Sequence, residues 1–222
     1  MGAKQRPLLI CFIGIDGSGK TTLAKVLANA LFERGRKSKY IHNRFVPVLS
    51  KPFMVIGKLF FFRRKGKFEN YLGYSATAKR VFKNSFIAVI YQYCLLLDYA
   101  FQTMMRLSLP LIFRRSVICD RYLYDTVTDI SVDLNYSKAR LKASLGAFSH
   151  LFPKPCLVFL VDIPEEIAYS RKTDIPALEF LKDRRTRYLD IAREYEMTIL
   201  DGSQDASALK SIINTKLDEV IR

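Results

Sequence analysis

The chain has 222 residues, half of them hydrophobic, which suits one domain with its own core and argues against a disordered protein. Its formal net charge of +15 is expected for a protein whose partner is an anionic substrate, a nucleic acid or an acidic membrane surface. The four cysteines are far apart in sequence and the two histidines stand alone. This pattern disfavours a disulfide framework and a structural metal, and it predicts reduced thiols in a cytoplasmic protein.

The first predicted elements are a strand, a glycine-rich loop and a helix. Residues 8–13 form an apolar run of strand length with no polar face, which predicts a buried strand. The run breaks at Gly14, and after four more residues the chain reads Gly19, Lys20 and Thr21, the spacing of a phosphate-binding loop. Apolar residues then recur at helical spacing. Because these elements follow in the required order, the sequence predicts that the chain binds a nucleoside triphosphate.

The loop residues suit particular parts of a bound nucleotide. Glycines let successive backbone amides turn towards an anion, and the N-terminus of the next helix points at the same place. Lys20 supplies a positive charge for the outer phosphates, and the Thr21 hydroxyl can bind Mg²⁺. The residues predicted to form the phosphate site are Gly14, Asp16, Gly17, Ser18, Gly19, Lys20, Thr21 and Thr22.

A second strand is predicted over residues 38–42, directly after the first helix. Strand, helix and strand at this spacing indicate a parallel α/β sheet, whose binding sites lie at the carboxyl ends of the strands. Arg44 falls just past the second strand, on that side. Its position leaves two interpretations open, a phosphate contact or a solvated surface residue.

The middle of the chain is both apolar and basic. Residues 45–75 are interpreted as a helical hairpin that packs on the sheet or on a second subunit, with a helix lying on an anionic membrane as the alternative. Residues 81–113 predict a second apolar helical region. Its uncharged stretch is shorter than the roughly 20 residues that a spanning helix needs, so we expect a core or interface helix. Nucleic-acid binding is disfavoured because no known motif accompanies the alternating aromatic and basic residues.

Two aspartates follow apolar strands in the second half of the chain. Asp120 ends one strand and suits a carboxylate that holds Mg²⁺ or its water beside Thr21. Arg121 offers a cation for a second anionic group, although an ion pair between Asp120 and Arg121 is the alternative. Asp162 ends another strand, but proline and two glutamates follow it, so we interpret it as a helix cap.

Residues 169–178 form a basic, proline-broken segment between two predicted helices. Arg171 and Lys172 lie within it, and we interpret the segment as a lid over the bound phosphates. Four cations of the following helix are interpreted mainly as a solvated face, and these are Lys182, Arg184, Arg185 and Arg187. Residues 197–200 predict the last strand and residues 206–221 a closing helix.

In this order, the motifs resemble the thymidylate kinase family of nucleoside monophosphate kinases. The resemblance rests on residues 14–22, on Asp120-Arg121-Tyr122 and on the Arg171-Lys172 lid. The Arg187-Tyr188-Leu189 helix and the Asp201-Gly202 turn fit as well. The matching parts are residues 8–44 and 115–222, about two-thirds of the chain.

The resemblance implies a fold and an activity. The fold is a single P-loop domain over residues 1–222, of the α/β class, with three α/β/α layers around a five-stranded parallel sheet. Residues 45–115 form a helical insertion that binds the acceptor and forms a homodimer. The activity is ATP- and Mg²⁺-dependent phosphoryl transfer to a nucleoside monophosphate, with dTMP and ATP giving dTDP and ADP.

The resemblance also implies roles for individual residues. Catalysis is assigned to Lys20, Asp120, Arg121 and Arg171, and Mg²⁺ binding to Thr21 and Asp120. Lys172 joins the loop residues on the ATP phosphates. Gly17 stands where one branch of the family has a loop arginine, so the lid is expected to supply that cation. The acceptor residues are Asp16, Arg44, Tyr99, Arg121 and Tyr122.

The chain departs from the family pattern where the base is recognised. Arg44-Phe45-Val46-Pro47 stands in place of Arg-Glu-Pro-Gly, and the run from Leu95 to Tyr99 has no arginine where the family holds thymine. A kinase for a nucleoside or another small hydroxylated acceptor therefore stays open. So does a nucleotide-dependent module that binds a membrane surface or a partner.

Overall fold

The computed structural model describes residues 6–52, 54–55 and 85–221. Within them, five parallel strands form one sheet in the order β2-β3-β1-β4-β5. The strands are β1 (Leu9–Ile13), β2 (Ser38–His42), β3 (Ser116–Asp120), β4 (Leu157–Asp162) and β5 (Thr198–Asp201).

Helices connect these strands, as a parallel sheet requires. They are α1 (Lys20–Glu33), α2 (Ser85–Thr103), α3 (Leu109–Ile112), α4 (Leu123–Asp133), α5 (Lys138–Ser149), α6 (Glu165–Ser170), α7 (Leu178–Glu194) and α8 (Ala206–Ile221). A π-helical turn, Met104–Ser108, joins α2 to α3. The closing helix has the bounds that the sequence predicts.

Strand β1 is buried along its whole length, as its apolar run predicts. Leu9, Cys11 and Ile13 face one core, and the alternate residues Ile10 and Phe12 face the other. The first core contains side chains from α2, α4, α5 and α7, and the second contains side chains from α1 and α8. Helices therefore cover both faces of the sheet, which confirms the predicted three-layer α/β/α fold.

The register of the sheet brings the carboxyl ends of three strands to one edge. Asp120 lies beside Phe12 of β1 and His42 of β2. The backbone N–H of Asn43 donates to the Asp120 carbonyl at 2.8 Å, and that of Arg121 donates to the Phe12 carbonyl at 3.0 Å. The glycine-rich loop leaves β1 at this edge, so the loop and Asp120 meet where ligands of parallel sheets bind.

The apolar middle region is helical where the structure describes it. α2, the π-helical turn and α3 follow one another from Ser85 to Ile112, in agreement with the helical stretch predicted up to residue 113. Most of the hairpin predicted over residues 45–75, namely residue 53 and residues 56–75, lies outside the described residues. Among the helices that are described, none is long and apolar enough to cross a membrane.

Candidate active site

The glycine-rich loop is held in a shape that two of its glycines make possible. Gly14 has φ +139°, and a Cβ there would lie 2.5 Å from the carbonyl oxygen of Val161. Gly17 has φ +87°, and its Cβ would lie 2.5 Å from the carbonyl oxygen of Ala168. Both conformations and both distances exclude a side chain. The loop is therefore packed tightly between the end of β4 and α6.

Lys20 begins α1 and is almost wholly buried. Its Nζ donates to the carbonyl oxygen of Ile15 at 2.9 Å and lies 3.6 Å from Oδ1 of Asp16. Burial and the nearby Arg121 guanidinium lower the pKa of Lys20, and the Asp16 carboxylate opposes them. α1 starts at the same point, so its unpaired N–H groups and the Lys20 ammonium form one positive region that suits phosphate.

Asp120 is the centre of a hydrogen-bond cluster at the strand ends. Its Oδ2 accepts from Thr21 Oγ1 at 2.6 Å and from the Tyr40 hydroxyl at 2.9 Å, and lies 2.9 Å from His42 Nδ1. Burial raises the pKa of Asp120, but the hydrogen bonds from Thr21 and His42 and the charge of Lys20 outweigh it and lower the pKa. The group is therefore a carboxylate at neutral pH.

The donor set around Asp120 fits Mg²⁺. Oδ1 of Asp120 is buried and has no hydrogen-bond partner among the described residues, so it is available to a cation or to its bound water. The Thr21 hydroxyl lies beside the same carboxylate, and oxygen ligands are those that Mg²⁺ prefers. Sequence reasoning found Thr21 and Asp120 but missed Tyr40 and His42. Tyr40 and His42 are two residues apart on β2 and therefore lie on the same face of the strand, and this spacing was the signal that the sequence offered.

Arg121 pairs with two carboxylates, neither of which is Asp120. Its Nη2 donates to Oδ1 of Asp16, and its Nη1 lies 3.8 Å from Oδ1 of Asp125. The alternative of an Asp120–Arg121 pair is therefore replaced by an Asp16–Arg121–Asp125 arrangement. The backbone of Arg121 has φ +73°, an uncommon conformation for a residue with a side chain, and it turns Arg121 from the strand towards the loop.

The two carboxylates on Arg121 differ in their acidity. Burial raises the pKa of Asp16, but Arg121, Lys20 and Arg44 outweigh it and hold that pKa at about 2. Asp125 is fully buried, and burial outweighs Arg121 and Lys20, which raises its pKa to about 6. Asp16 is therefore a permanent anion at neutral pH, whereas Asp125 titrates near the physiological range.

A cleft of about 280 Å³ opens from the loop and from Arg121. One side is a stretch after β2, residues 43–47 with residue 54, which we call the wall segment. The other sides come from α2, α4 and α7. The lining residues are Gly14, Ile15, Asp16, Asn43, Arg44, Phe45, Pro47, Met54, Tyr91, Leu95, Arg121, Asp125, Thr126, Asp129, Ile130, Asp133, Phe180, Arg184 and Tyr188.

The structure places most of the predicted acceptor residues at this cleft, but not the two tyrosines. Tyr99 is fully buried in the core, where its hydroxyl accepts from Asn43 Nδ2 at 2.8 Å. Tyr122 is also buried, and its hydroxyl donates to the carbonyl oxygen of Pro153. Neither lines the cleft, so the structure does not support the predicted acceptor contacts of Tyr99 and Tyr122, which stay predictions. Their apolar rings pack more favourably in the core than at a wet surface.

Arg184 is a cleft residue that sequence reasoning assigned to a solvated face. It is almost completely buried, its Nε donates to Oδ1 of Asp129 at 2.6 Å, and its guanidinium lies 3.6 Å from the centre of the Phe180 ring. Asp125 and Asp133 stand one helical turn before and after Asp129 on α4, and both line the cleft. Only the packing of α7 against α4 brings these residues together.

A second correction concerns Asp162. Pro164 caps α6 without a side-chain hydrogen bond, so Asp162 is not the helix cap that the sequence predicts. Its carboxylate instead accepts from Nε of Arg185 at 2.8 Å and from Nη2 at 3.0 Å. Glu165 accepts from Nη1 of the same arginine at 2.7 Å. Arg185 therefore fastens α7 to the end of β4 and is not a solvated residue either.

The predicted lid, residues 169–178, begins in the last two residues of α6, ends at the first residue of α7, and otherwise connects the two helices. Arg171 is exposed, and its Nη1 lies 3.4 Å from the carbonyl oxygen of Gly17, so it stands at the loop. Lys172 is exposed as well, and its Nζ lies 3.8 Å from Asp174. The structure thus brings Arg171 to the phosphate-binding loop and leaves Lys172 on the surface.

No family model matches the chain. A probable thymidylate kinase of Methanocaldococcus jannaschii is 30% identical over 203 residues, which cover 89% of this chain and 88% of the relative. The chain belongs to the thymidylate kinase family. A probable thymidylate kinase of Metallosphaera sedula is 28% identical over 214 residues, with 92% and 89% of the two chains covered. A thymidylate kinase of Thermosipho melanesiensis is 26% identical and covers 95% of this chain and all of its own.

The fold of this thymidylate kinase family member is also similar to a solved structure. The crystal structure of thymidylate kinase from Ehrlichia chaffeensis superimposes with a TM-score of 0.57, at 16% identity. The match covers 95% of this chain and 98% of the other. This match supports the fold, and the 30% identity with the Methanocaldococcus jannaschii relative confirms the family predicted from the glycine-rich loop and from Asp120-Arg121-Tyr122.

Proposed function

We propose that this protein transfers the terminal phosphoryl group of ATP to dTMP and releases ADP and dTDP. The observation that carries the proposal is the cleft itself, which begins at Gly14–Asp16 of the phosphate-binding loop and holds Arg44 and Arg121 at the same end. A monophosphate in the cleft would have its phosphate against these two cations. The rest of the cleft is large enough and apolar enough for a sugar and a base.

The chain's own residues account for the binding of both substrates. The loop amides and Lys20 hold the donor phosphates, and the α1 N-terminus favours the same charge. Arg121 and Arg44 hold the acceptor phosphate, and the Asp16 carboxylate accepts from a sugar hydroxyl. Asp16 suits this task because its pKa of about 2 keeps it an acceptor at neutral pH.

Catalysis needs positioning and charge neutralisation more than proton transfer. The attacking oxygen belongs to a phosphate that is already an anion, so no general base is required. Lys20, Arg121 and Arg171 surround the place where negative charge spreads over the transferred group, and fixed cations there cost no reorganisation. Lys172 would join them if the lid segment closed over the nucleotide.

Thr21 and Asp120 would hold Mg²⁺, which neutralises phosphate charge in reactions of this type. The unpartnered Oδ1 of Asp120 supports this assignment. Tyr40 and His42 would orient the carboxylate, since both contact its other oxygen. Depletion of divalent cations is therefore expected to abolish turnover.

The test is formation of diphosphate from a panel of monophosphates, with Mg-ATP as donor. We expect dTMP to be the best substrate and Lys20→Ala to abolish turnover, because no other buried cation lies in the loop. Lys210→Ala, which removes an exposed lysine on α8, is the matched control and should leave turnover unchanged. Absence of product with every monophosphate would reject the proposal, and phosphorylation of thymidine but not dTMP would favour a nucleoside kinase. Turnover by Lys20→Ala would reject the site.

We also propose a homodimer formed through an apolar face of α2. Eight large apolar side chains of α2 and the following turn are more than a third exposed, and they are Phe86, Val89, Ile90, Tyr93, Leu97, Phe101, Met104 and Met105. A patch of this kind seldom faces water in a monomer. Because these side chains carry no charge, the same face of a second subunit can pack against them across a two-fold axis without like-charge repulsion. Leu97→Arg with Phe101→Arg should then give a monomer in sedimentation, and a native protein that is monomeric would refute the dimer.

A cytoplasmic location completes the proposal. All four cysteines are free thiols, which suits a reducing compartment, and ATP and nucleoside monophosphates are cytoplasmic metabolites.

A further inference from the structure

Six cations lie near the amino ends of the strands, which form the edge of the sheet opposite the active site. The segments that enter β1, β2, β3 and β4 end at this edge, and each of them carries at least one. We call the set the basic edge, and its members are Arg6, Arg36, Lys37, Arg114, Arg115 and Lys154.

The sheet register makes these segments neighbours. Ser38 of β2 pairs with Ser116 of β3, and the Ser116 N–H donates to the Lys37 carbonyl at 2.8 Å. Nη1 of Arg36 donates to the carbonyl oxygen of Arg6 at 3.3 Å. The basic edge therefore spans four adjacent strands, although its members are far apart in sequence.

The cations of the basic edge are not neutralised within the described part of the chain. None of the six lies within 4.0 Å of a carboxylate there, and five of them are exposed. Arg34, only two residues before Arg36, is by contrast paired with Asp218 at 3.0 Å. The basic edge is thus a concentrated positive charge that faces solvent, which a partner with negative charge would offset.

Two large apolar side chains stand beside the basic edge. Ile112 is 72% exposed and Phe113 is 71% exposed, and they directly precede Arg114. Hydrogen bonds fix the turn that presents them, because the N–H groups of Phe113 and Arg115 donate to the carbonyl oxygens of Leu109 at 3.1 Å and Pro110 at 2.9 Å. These side chains are therefore held outward and do not fold back on the core.

We propose that the basic edge docks on the anionic surface of a lipid bilayer, with Ile112 and Phe113 entering the boundary between headgroups and acyl chains. Stable attachment of this kind needs two signals, and the surface supplies both a polybasic cluster and an apolar anchor. A nucleic acid would use the cations but gains nothing from an exposed isoleucine, since its outer surface is phosphate and sugar. The combination therefore favours lipid.

Docking in this way leaves the cleft accessible. The phosphate-binding loop and Asp120 lie at the carboxyl ends of the strands, whereas Arg115 and Lys37 precede the amino ends. The bilayer and the nucleotides would meet opposite edges of the same sheet. The proposal is independent of the identity of the phosphate acceptor, because no residue of the basic edge lines the cleft.

The experiment is co-sedimentation of the full chain with vesicles of phosphatidylcholine alone and of equal parts phosphatidylcholine and phosphatidylglycerol. We expect binding to the anionic vesicles only, weakened by salt. Arg114→Gln with Arg115→Gln should lower the affinity about 30-fold, since each cation near such a surface contributes about a fivefold change in affinity and the two factors multiply. Arg193→Gln with Lys210→Gln removes the same charge from exposed positions elsewhere and should bind like the native protein.

The apolar anchor is tested separately. Ile112→Ser with Phe113→Ser should weaken vesicle binding while the melting temperature stays unchanged, because both side chains are already in water. Equal binding to neutral vesicles, no binding to anionic vesicles at low salt, or equal loss in the Arg193 and Lys210 control would overturn the proposal. Binding of duplex DNA as tight as that of vesicles, and insensitive to the serine changes, would assign the basic edge to nucleic acid instead.

Discussion

The Asp125→Asn variant is expected to be more stable than the native protein at neutral pH and to lose that advantage in acid. Asp125 is fully buried, and burial raises its pKa from the ordinary 3.8 to about 6. The carboxyl group must therefore ionise in a place that disfavours its charge once the pH exceeds the folded pKa. Asparagine has nearly the same shape and resembles the protonated form.

The size of the effect follows from the pKa in the two states. Below pH 3.8 both the folded and the unfolded protein hold the proton, and Asp125 costs no stability. As the pH rises towards about 6 the unfolded chain releases the proton first, so the folded state loses stability. A difference of about two in pKa corresponds to about 3 kcal/mol, which is the expected gain of the variant above pH 6 relative to acid.

Asparagine can keep the local contacts of Asp125. The native carboxylate accepts from the Tyr188 hydroxyl at 2.7 Å and from the Tyr122 N–H at 2.8 Å. The amide oxygen of asparagine can accept from Tyr122, and its NH₂ group can donate to the Tyr188 hydroxyl, which is able to accept. The substitution should therefore change the charge while keeping a hydrogen bond to Tyr122 and one to Tyr188.

Urea unfolding of both proteins at a series of pH values measures the difference directly. Asp201→Asn serves as a control of opposite sign, because hydrogen bonds from the Ser203 hydroxyl and N–H lower the pKa of exposed Asp201. That variant should lose stability at neutral pH and recover it in acid. A stability difference between Asp125→Asn and the native protein that does not change with pH, or that changes in the other direction, would refute the reasoning.

Three further substitutions test the loop, the core and the wall segment. Gly17→Ala should lower the free energy of unfolding by about 1–3 kcal/mol, because of its φ of +87° and the close Ala168 carbonyl, and a variant of native stability would contradict this. Tyr99→Phe should cost about 1 kcal/mol by removing hydrogen bonds with Asn43, while the KM for dTMP stays unchanged; a raised KM would restore Tyr99 as an acceptor contact. Asp98→Ala removes a buried acceptor of three hydrogen bonds from residues 48 and 50, which lie beside the wall segment. It should raise the KM for dTMP more than it lowers kcat, and an unchanged KM would show that Asp98 does not position the wall segment for dTMP.

The parts of this protein that the sequence predicts well are local. The strand, loop and first helix are encoded by contiguous residues, since an apolar run, two glycines and a helical repeat each determine the backbone where they stand. Asp120 and Arg121 were found in the same way, at the end of an apolar strand. The parallel sheet then follows from the order of the elements, because parallel strands need helical crossovers.

The remaining features depend on contacts between distant residues. Tyr40 reaches Asp120 across 80 residues of sequence, and Arg121 reaches Asp16 across 105, so no local pattern predicts either pair. The sequence predicts a surface position for Arg184 because the charge pattern of α7 does not indicate which side of the helix packs against α4. The burial of Tyr99 was missed for the same reason, since a tyrosine on an apolar helix fits a core and a binding site equally well.

The sequence by itself determined that a phosphate-binding loop follows the central strand, and that a carboxylate and an arginine follow a neighbouring one. Only the tertiary structure decided how these groups pair. The loop after β1 gives Arg121 one carboxylate partner, Asp16, and α4 gives it the other, Asp125. The packing of α7 against α4 buries Asp125 and closes the cleft beside the loop. The physical reason is that a loop is specified by the backbone conformations of adjacent residues, whereas burial and charge pairing are specified by residues that only the fold brings together.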